Sequence, residues 1–113
     1  MITIDAQGKT LGRVASAAAK ALLGKHSASF AKNVVADQKV TITNAKGVKV
    51  SGQKVQDKKY IRYSGYPDGQ KTENYAMLTA RKGTREVIRK AVLGMLPKNR
   101  LQTPRIKNLV IED

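Results

Sequence analysis

The chain has 113 residues, enough for a single domain spanning 1–113 with one core. Its mean hydropathy of −0.42, and the lack of any apolar run near the roughly 18 residues of a membrane span, argue against a transmembrane helix. With no cysteine there is neither a disulfide framework nor a thiolate metal site, and 22 Lys and Arg against 8 Asp and Glu leave a net charge of +14.

Met1 to Asp5 alternates apolar and polar residues and is expected to form a short strand; Asp5 interrupts the apolar start before it could serve as a secretory signal. Gly8-Lys9-Thr10 follows, and Thr10 is placed to cap a helix over 11–23. Leu11, Val14, Ala15, Ala18 and Leu22 make one apolar stripe of that helix, Arg13 and Lys20 lie on another face, and Gly24 is a natural stop. Residues 25–39 read as a loop carrying Lys25, His26, Phe30 and Lys32. Val40 to Thr43 is a second strand of strong β-branched character, and 44–57 is short-period sequence in which Val48 to Ser51 could be a strand or an irregular crossing.

Tyr60 to Tyr63 is expected as a third strand, followed by a turn at Ser64 to Gly69 that is dense in turn formers. A short helix around 74–80 is plausible from the pattern. A clearer one runs from a Thr84 cap to about Leu96, with Val87, Ile88, Ala91, Val92 and Met95 inward and Glu86 and Lys90 at i and i+4. Pro97 ends it, 100–107 is basic and part helical, and Asn108 to Glu112 closes the chain as a last strand. Strands alternating with helices predict an α/β fold with a mostly parallel sheet.

Charge is spread through this body. Residues 1–56 hold nine basic and two acidic groups, and residues 57–113 hold thirteen and six, so each half carries +7. Such self-repulsion calls for a polyanion, and nucleic acid fits better than an anionic membrane because no basic helix with large apolar residues is evident.

The Gly8-Lys9-Thr10 triplet between a strand and a helix raises the alternative of a small nucleotide-binding enzyme. The phosphate loop of such enzymes needs a glycine five positions before Gly8, where Thr3 stands inside the strand. Lys9 remains a candidate for a nucleic-acid phosphate at a helix start. His26 is the only histidine and lacks partners for a triad or a histidine-pair metal site, while Asp5, Asp37 and Asp57 are scattered beside turns. No constellation supports catalysis, and no metal, cofactor or small-molecule substrate is expected.

The richest segment is Lys58 to Lys71. Lys58, Lys59, Arg62 and Lys71 interleave with Tyr60, Tyr63 and Tyr66, three of the five aromatic residues. Tyrosine offers a ring for an unpaired base and a hydroxyl for phosphate or ribose. In a strand Tyr60 and Tyr63 face opposite ways, so at least one should be core, whereas Tyr66 in the turn should be exposed. A further basic cluster holds Lys98, Arg100, Arg105 and Lys107, and Arg85 with Arg89 marks the outward face of the preceding helix. Together these suggest a surface that tracks phosphates. A DNA-compacting protein indifferent to sequence is the other alternative that charge alone permits.

In this order, the segments Asp5 to Ala15, Leu22 to His26, Ile42 to Lys54, Lys59 to Lys71 and Ala91 to Leu101 resemble the large-subunit ribosomal protein thirteen family. Ser-Gly-Tyr-Pro at 64–67, with Gly-Met-Leu-Pro at 94–97, carries the resemblance most specifically. It implies a three-layer α/β/α domain around a small four-stranded sheet of order 3-2-1-4. It further implies a non-catalytic protein that binds large-subunit rRNA early in assembly, beside neighbouring ribosomal proteins, in a cytoplasmic ribosome or an organellar one. By the family's pattern, Ser64, Gly65, Tyr66 and Pro67, and Pro97 with Lys98 and Arg100, fall among the RNA-contacting parts. The sequence departs from that pattern in lacking the segment common before the first strand and the histidine-bearing tail after the last. It also departs at Tyr63, where histidine is usual, and at Asp68, where glycine is usual.

Overall fold

The computed structural model describes residues 2–25, 28, 31, 33–35, 39–50 and 54–112. The elements are β1 (Ile2–Asp5), α1 (Leu11–Leu23), β2 (Val40–Thr43), α2 (Lys54–Asp57), β3 (Lys59–Tyr63), β4 (Gln70–Asn74), α3 (Tyr75–Lys82), α4 (Thr84–Met95), α5 (Gln102–Ile106) and β5 (Leu109–Ile111), with a 3-10 turn at Ala45–Gly47. The fold is mixed α/β.

β1, β2 and β5 form a parallel sheet with β2 in the middle. The register sets Ile2 beside Val40 and Leu109, and Ile4 beside Ile42 and Ile111. Since alternate residues share a face, these apolar side chains all turn toward the helices. Val40 and Ile42 are wholly buried, as expected of the strand flanked on both edges, whereas Ile2, Ile4, Leu109 and Ile111 are only partly covered.

The expected strand order 3-2-1-4 is corrected here. The first and second strands pair as anticipated, but the last strand lies against β2 and not against β1. The third strand leaves this sheet altogether and pairs antiparallel with β4, which the sequence reading missed. The physical reason is local. Charged and exposed positions run through Lys59–Tyr63, leaving only Tyr60 to pack on the core, and the turn at 64–69 supplies an antiparallel partner within a few residues. On the far side of the parallel sheet Thr3 and Val110 are exposed, so among the described residues the helices cover one face and the expected third layer is not seen.

α1 has the expected bounds. Its stripe of Leu11, Val14, Ala15, Ala18 and Leu22 is buried, and it packs against β1, β2 and α4. Gly24 ends it at φ 78°, the left-handed conformation that glycine adopts without a Cβ penalty, with its N–H on the Ala21 carbonyl. Thr10 stands at the cap position without a side-chain hydrogen bond; a parallel bridge to Lys49 fixes this end instead. The α4 stripe is buried at Val87, Ile88 and Val92. Met95, expected inward, is 45% exposed at the end of the helix. Gly83, not Thr84, occupies the cap position of α4, because it is the single residue between the end of α3 at Lys82 and the start of α4 at Thr84. Asn74 caps α3, its Oδ1 accepting the Met77 N–H at 2.8 Å.

Candidate nucleic-acid interface

Two shallow grooves flank the contact between α1 and α4, and they share one side chain. The first, about 310 Å³, is lined by Ser16, Ala19, Lys20, Leu23, Lys25 and Met95. The second, about 360 Å³, lies between the start of α1, the end of α4 and β3, and includes Met95 with Lys58, Tyr60 and Lys90. Met95 thus joins the two grooves into one band, with Lys20 and Lys25 lining one side of it and Lys58 the other. Arg13 is exposed on α1 beside Gly12, which lines the second groove. α1 contributes this edge because its alanines are sunk against the core and leave its long basic side chains on the rim.

Within the second groove the Lys58 and Lys90 ammoniums lie 5.7 and 5.5 Å from the centre of the Tyr60 ring. Both are within cation–π range. Tyr60 is half-buried, and burial raises its phenol pKa above the ordinary value, with Tyr75 adding to the shift. Tyr60 therefore keeps its proton and remains a hydrogen-bond donor. Of the three tyrosines in this segment, Tyr60 is the packed one, while Tyr63 and Tyr66 are 67% and 74% exposed. That matches the expectation from strand alternation.

The β3–β4 register explains this partition. Tyr60 lies opposite Glu73 and Arg62 opposite Lys71 on one face; Lys59, Ile61 and Tyr63 lie opposite Asn74, Thr72 and Gln70 on the other. Glu73 organises the first face. Arg81 grips its carboxylate in a fork, Nη2 to Oε1 at 2.8 Å and Nε to Oε2 at 3.0 Å, and Arg62 Nη1 adds a bond of 2.7 Å to Oε1. The hydrogen bonds from Arg81, aided by the fields of Arg62 and Lys90, hold the Glu73 carboxyl below its ordinary pKa. Arg62 is therefore engaged by Glu73 within the chain, whereas Lys59 and Lys71 are exposed.

At the hairpin tip Ser64, Gly65, Tyr66, Pro67 and Asp68 are all exposed. The turn closes through the Gly69 N–H on the Tyr66 carbonyl at 2.9 Å, with Gly65 at φ 91°. Asp68, also left-handed at φ 58°, adopts there a backbone that most residues avoid.

Among the described residues, none of the remaining candidates lines either groove. Arg85 is ten residues before Met95 along α4, about 15 Å along the axis, and lines a different pocket with Lys46 and Lys82. Arg89 is 3.8 Å from Glu86, a loose exposed pair. Lys98, Arg100 and Lys107 are exposed beyond the end of α4. Arg105 is 1% exposed and partnered within the chain, so its place among the RNA-facing cations is corrected: it is a core residue. His26 lies outside the described residues, as do Phe30, Lys32 and Asp37.

The Gly8-Lys9-Thr10 loop has a structural role. Gly8 N–H donates to the Gly47 carbonyl at 2.9 Å, Lys9 N–H to Ala6 at 3.1 Å, and Leu11 N–H to Lys49 at 3.2 Å. The Gly8 and Leu11 amides are thus committed to a neighbouring loop and that of Lys9 to its own turn, while the Lys9 side chain is exposed. Asp5 belongs to the same junction. Its Oδ1 accepts from the Asn44 side chain and the Gln7 N–H, both at 2.9 Å, and these bonds hold its pKa below the ordinary value.

Against this geometry, the sequence model of the family described as Ribosomal protein L13 matches residues 1–111. The chain belongs to that family. It is similar to the Large ribosomal subunit protein uL13 of Psychrobacter sp. (strain PRwf-1), 49% identical over 106 residues that cover 94% of this chain and 74% of the relative. The protein of the same name from Symbiobacterium thermophilum is 49% identical over 98 residues, 87% of this chain and 68% of that one. The one from Pelotomaculum thermopropionicum is 44% identical over 108 residues, 96% and 74%. The match of this L13-family chain takes in both grooves, the hairpin and the buried Arg105. Lys90 and Gly94 line the groove but were not picked out as site residues from sequence. Lys90 read as the salt-bridge partner of Glu86, and only the approach of β3 to α4 reveals its position over Tyr60.

Proposed function

We propose that this protein is a structural, non-catalytic constituent of the large ribosomal subunit that binds large-subunit rRNA and supports early subunit assembly in the cytoplasm. The observation that carries the reading is the family match over residues 1–111, in a chain whose net charge is +14. The physical mechanism is neutralisation. Lysines along the groove band and the hairpin let RNA phosphates approach one another, and the exposed Tyr63 and Tyr66 rings give unpaired bases a surface to stack on.

The contact set comprises Lys9, Arg13, Lys20, Lys25, Lys58, Lys59, Lys71, Lys98, Arg100 and Lys107, with Ser64–Pro67 fixing register through the turn. Arg85 and Arg89 would meet a separate RNA segment, and neighbouring ribosomal proteins would cover part of the remaining surface. Co-sedimentation tests the reading. The protein should remain with large subunits through a high-salt wash and compete for structured large-subunit rRNA in preference to duplex DNA. Equal affinity for both nucleic acids would refute it in favour of a DNA-compacting role, and saturable micromolar binding of ATP with magnesium would revive a nucleotide enzyme.

A further inference from the structure

Two glycines inside helices line the second groove: Gly12 in the first turn of α1 and Gly94 in the last turn of α4. Neither is explained by the protein itself. A Cβ built on either would meet nothing within 4 Å, and neither has the positive φ that would require glycine. Glycine within a helix is unfavourable relative to alanine, so the fold alone would be better served by a methyl group at both positions. What the two residues provide is bare backbone on the groove floor, open to close approach from outside.

The rest of the groove indicates what approaches. Lys58 and Lys90 stand at its edge over Tyr60, each with one side of its ammonium on the ring and N–H donors left over. None of the lining residues is acidic. Glu73, whose field reaches Lys90, is itself gripped by Arg62 and Arg81. A bare floor flanked by two cations and a phenol donor suits a backbone that carries regularly spaced anions and hydroxyls.

We propose that the groove between Gly12 and Gly94 seats a sugar–phosphate strand of RNA, its ribose against the glycine floor and its phosphates on Lys58 and Lys90. This rests on the reading of the protein as an rRNA binder and names the place where one strand is held at backbone distance. The groove lining includes no residue of the hairpin tip or of the segment after Pro97.

The test uses the full chain, a full-length large-subunit rRNA transcript, and the variants Gly12→Ala, Gly94→Ala and Gly94→Leu. At fixed salt the alanine variants should bind the transcript at least threefold more weakly and Gly94→Leu at least tenfold more weakly. Thermal unfolding should show each alanine variant to be no less stable than the parent. The slope of affinity against salt should become shallower for Gly94→Leu, because displacing the strand also takes its phosphates off Lys58 and Lys90. Affinities within twofold of the parent for all three variants overturn the proposal. Unchanged RNA affinity with lost incorporation into reconstituted large subunits also overturns it, and assigns the groove to a protein neighbour. Failure of the parent itself to bind the transcript refutes the rRNA reading instead, so the two failures are distinguishable.

Discussion

Raising salt should dissociate this protein from large-subunit rRNA steeply, and the structure sets the expected steepness. Lys20, Lys25, Lys58, Lys59, Lys71 and Lys90 are the cations that the groove band and the hairpin present to solvent. If each of these six neutralises one phosphate, they alone contribute a slope of about −4 to −5 in the logarithm of the binding constant against the logarithm of salt, taking roughly 0.7 to 0.9 per phosphate, and the other contacts steepen it. Between 50 and 200 mM monovalent salt that is a loss of roughly 250- to 1,000-fold from these six alone. Replacing Lys58 and Lys90 together with glutamine should make the slope shallower by about 1.5 to 2. Fluorescence anisotropy with a labelled rRNA fragment, titrated at four salt concentrations, measures both quantities. A parental slope shallower than about −2, or a slope that the double variant leaves unchanged, would refute the assignment of these lysines to phosphates.

Three further outcomes follow from individual residues. Arg105→Ala should lower unfolding stability in urea by about 2 to 4 kcal/mol, since it empties a wholly buried position and strands its partner; Lys107→Ala, exposed two residues on, should stay within about 0.5 kcal/mol. Asp68→Ala should destabilise the hairpin by about 1 kcal/mol, because alanine tolerates the left-handed backbone at φ 58° less well than aspartate; faster amide exchange across β3 and β4 would report it. The lowered carboxyl of Glu73 makes stability depend on acid. Its contribution is present above the ordinary glutamate value of 4.5 and is lost as pH falls through the lower native value, so Glu73→Gln should flatten the acid limb of a stability–pH curve below 4.5.

Much of the fold was legible wherever a side-chain period carries the information. α1 has the bounds its alanine-rich stripe implies, and β2 is the strand its β-branched residues suggest. β4 was not legible, because Gln70–Asn74 is polar throughout and becomes a strand through pairing with β3. The turn at 64–69 held the missing signal, since a short glycine-bearing turn directly after a strand implies an antiparallel return. Strand order depends on which strand is covered from both sides, and the short alternations in β1, β2 and β5 do not encode that. Within the site, exposure of Tyr66 and packing of Tyr60 follow from alternation and turn chemistry. The burial of Arg105 does not, because an arginine followed by Ile106 and Lys107 in a short helix looks like any surface cation until its surroundings are assembled.

The central position of β2 also shapes how the chain matures during synthesis. β1 and α1 can fold onto β2 once about the first forty residues have emerged, but the opposite edge of β2 must wait for Leu109 to meet Val40. Until then the unpaired carbonyls and amides of 40–43 form an open sticky margin on the nascent protein. Final closure of the sheet thus waits for residues 109–111, and anything that delays them prolongs the interval in which that margin can recruit the wrong strand.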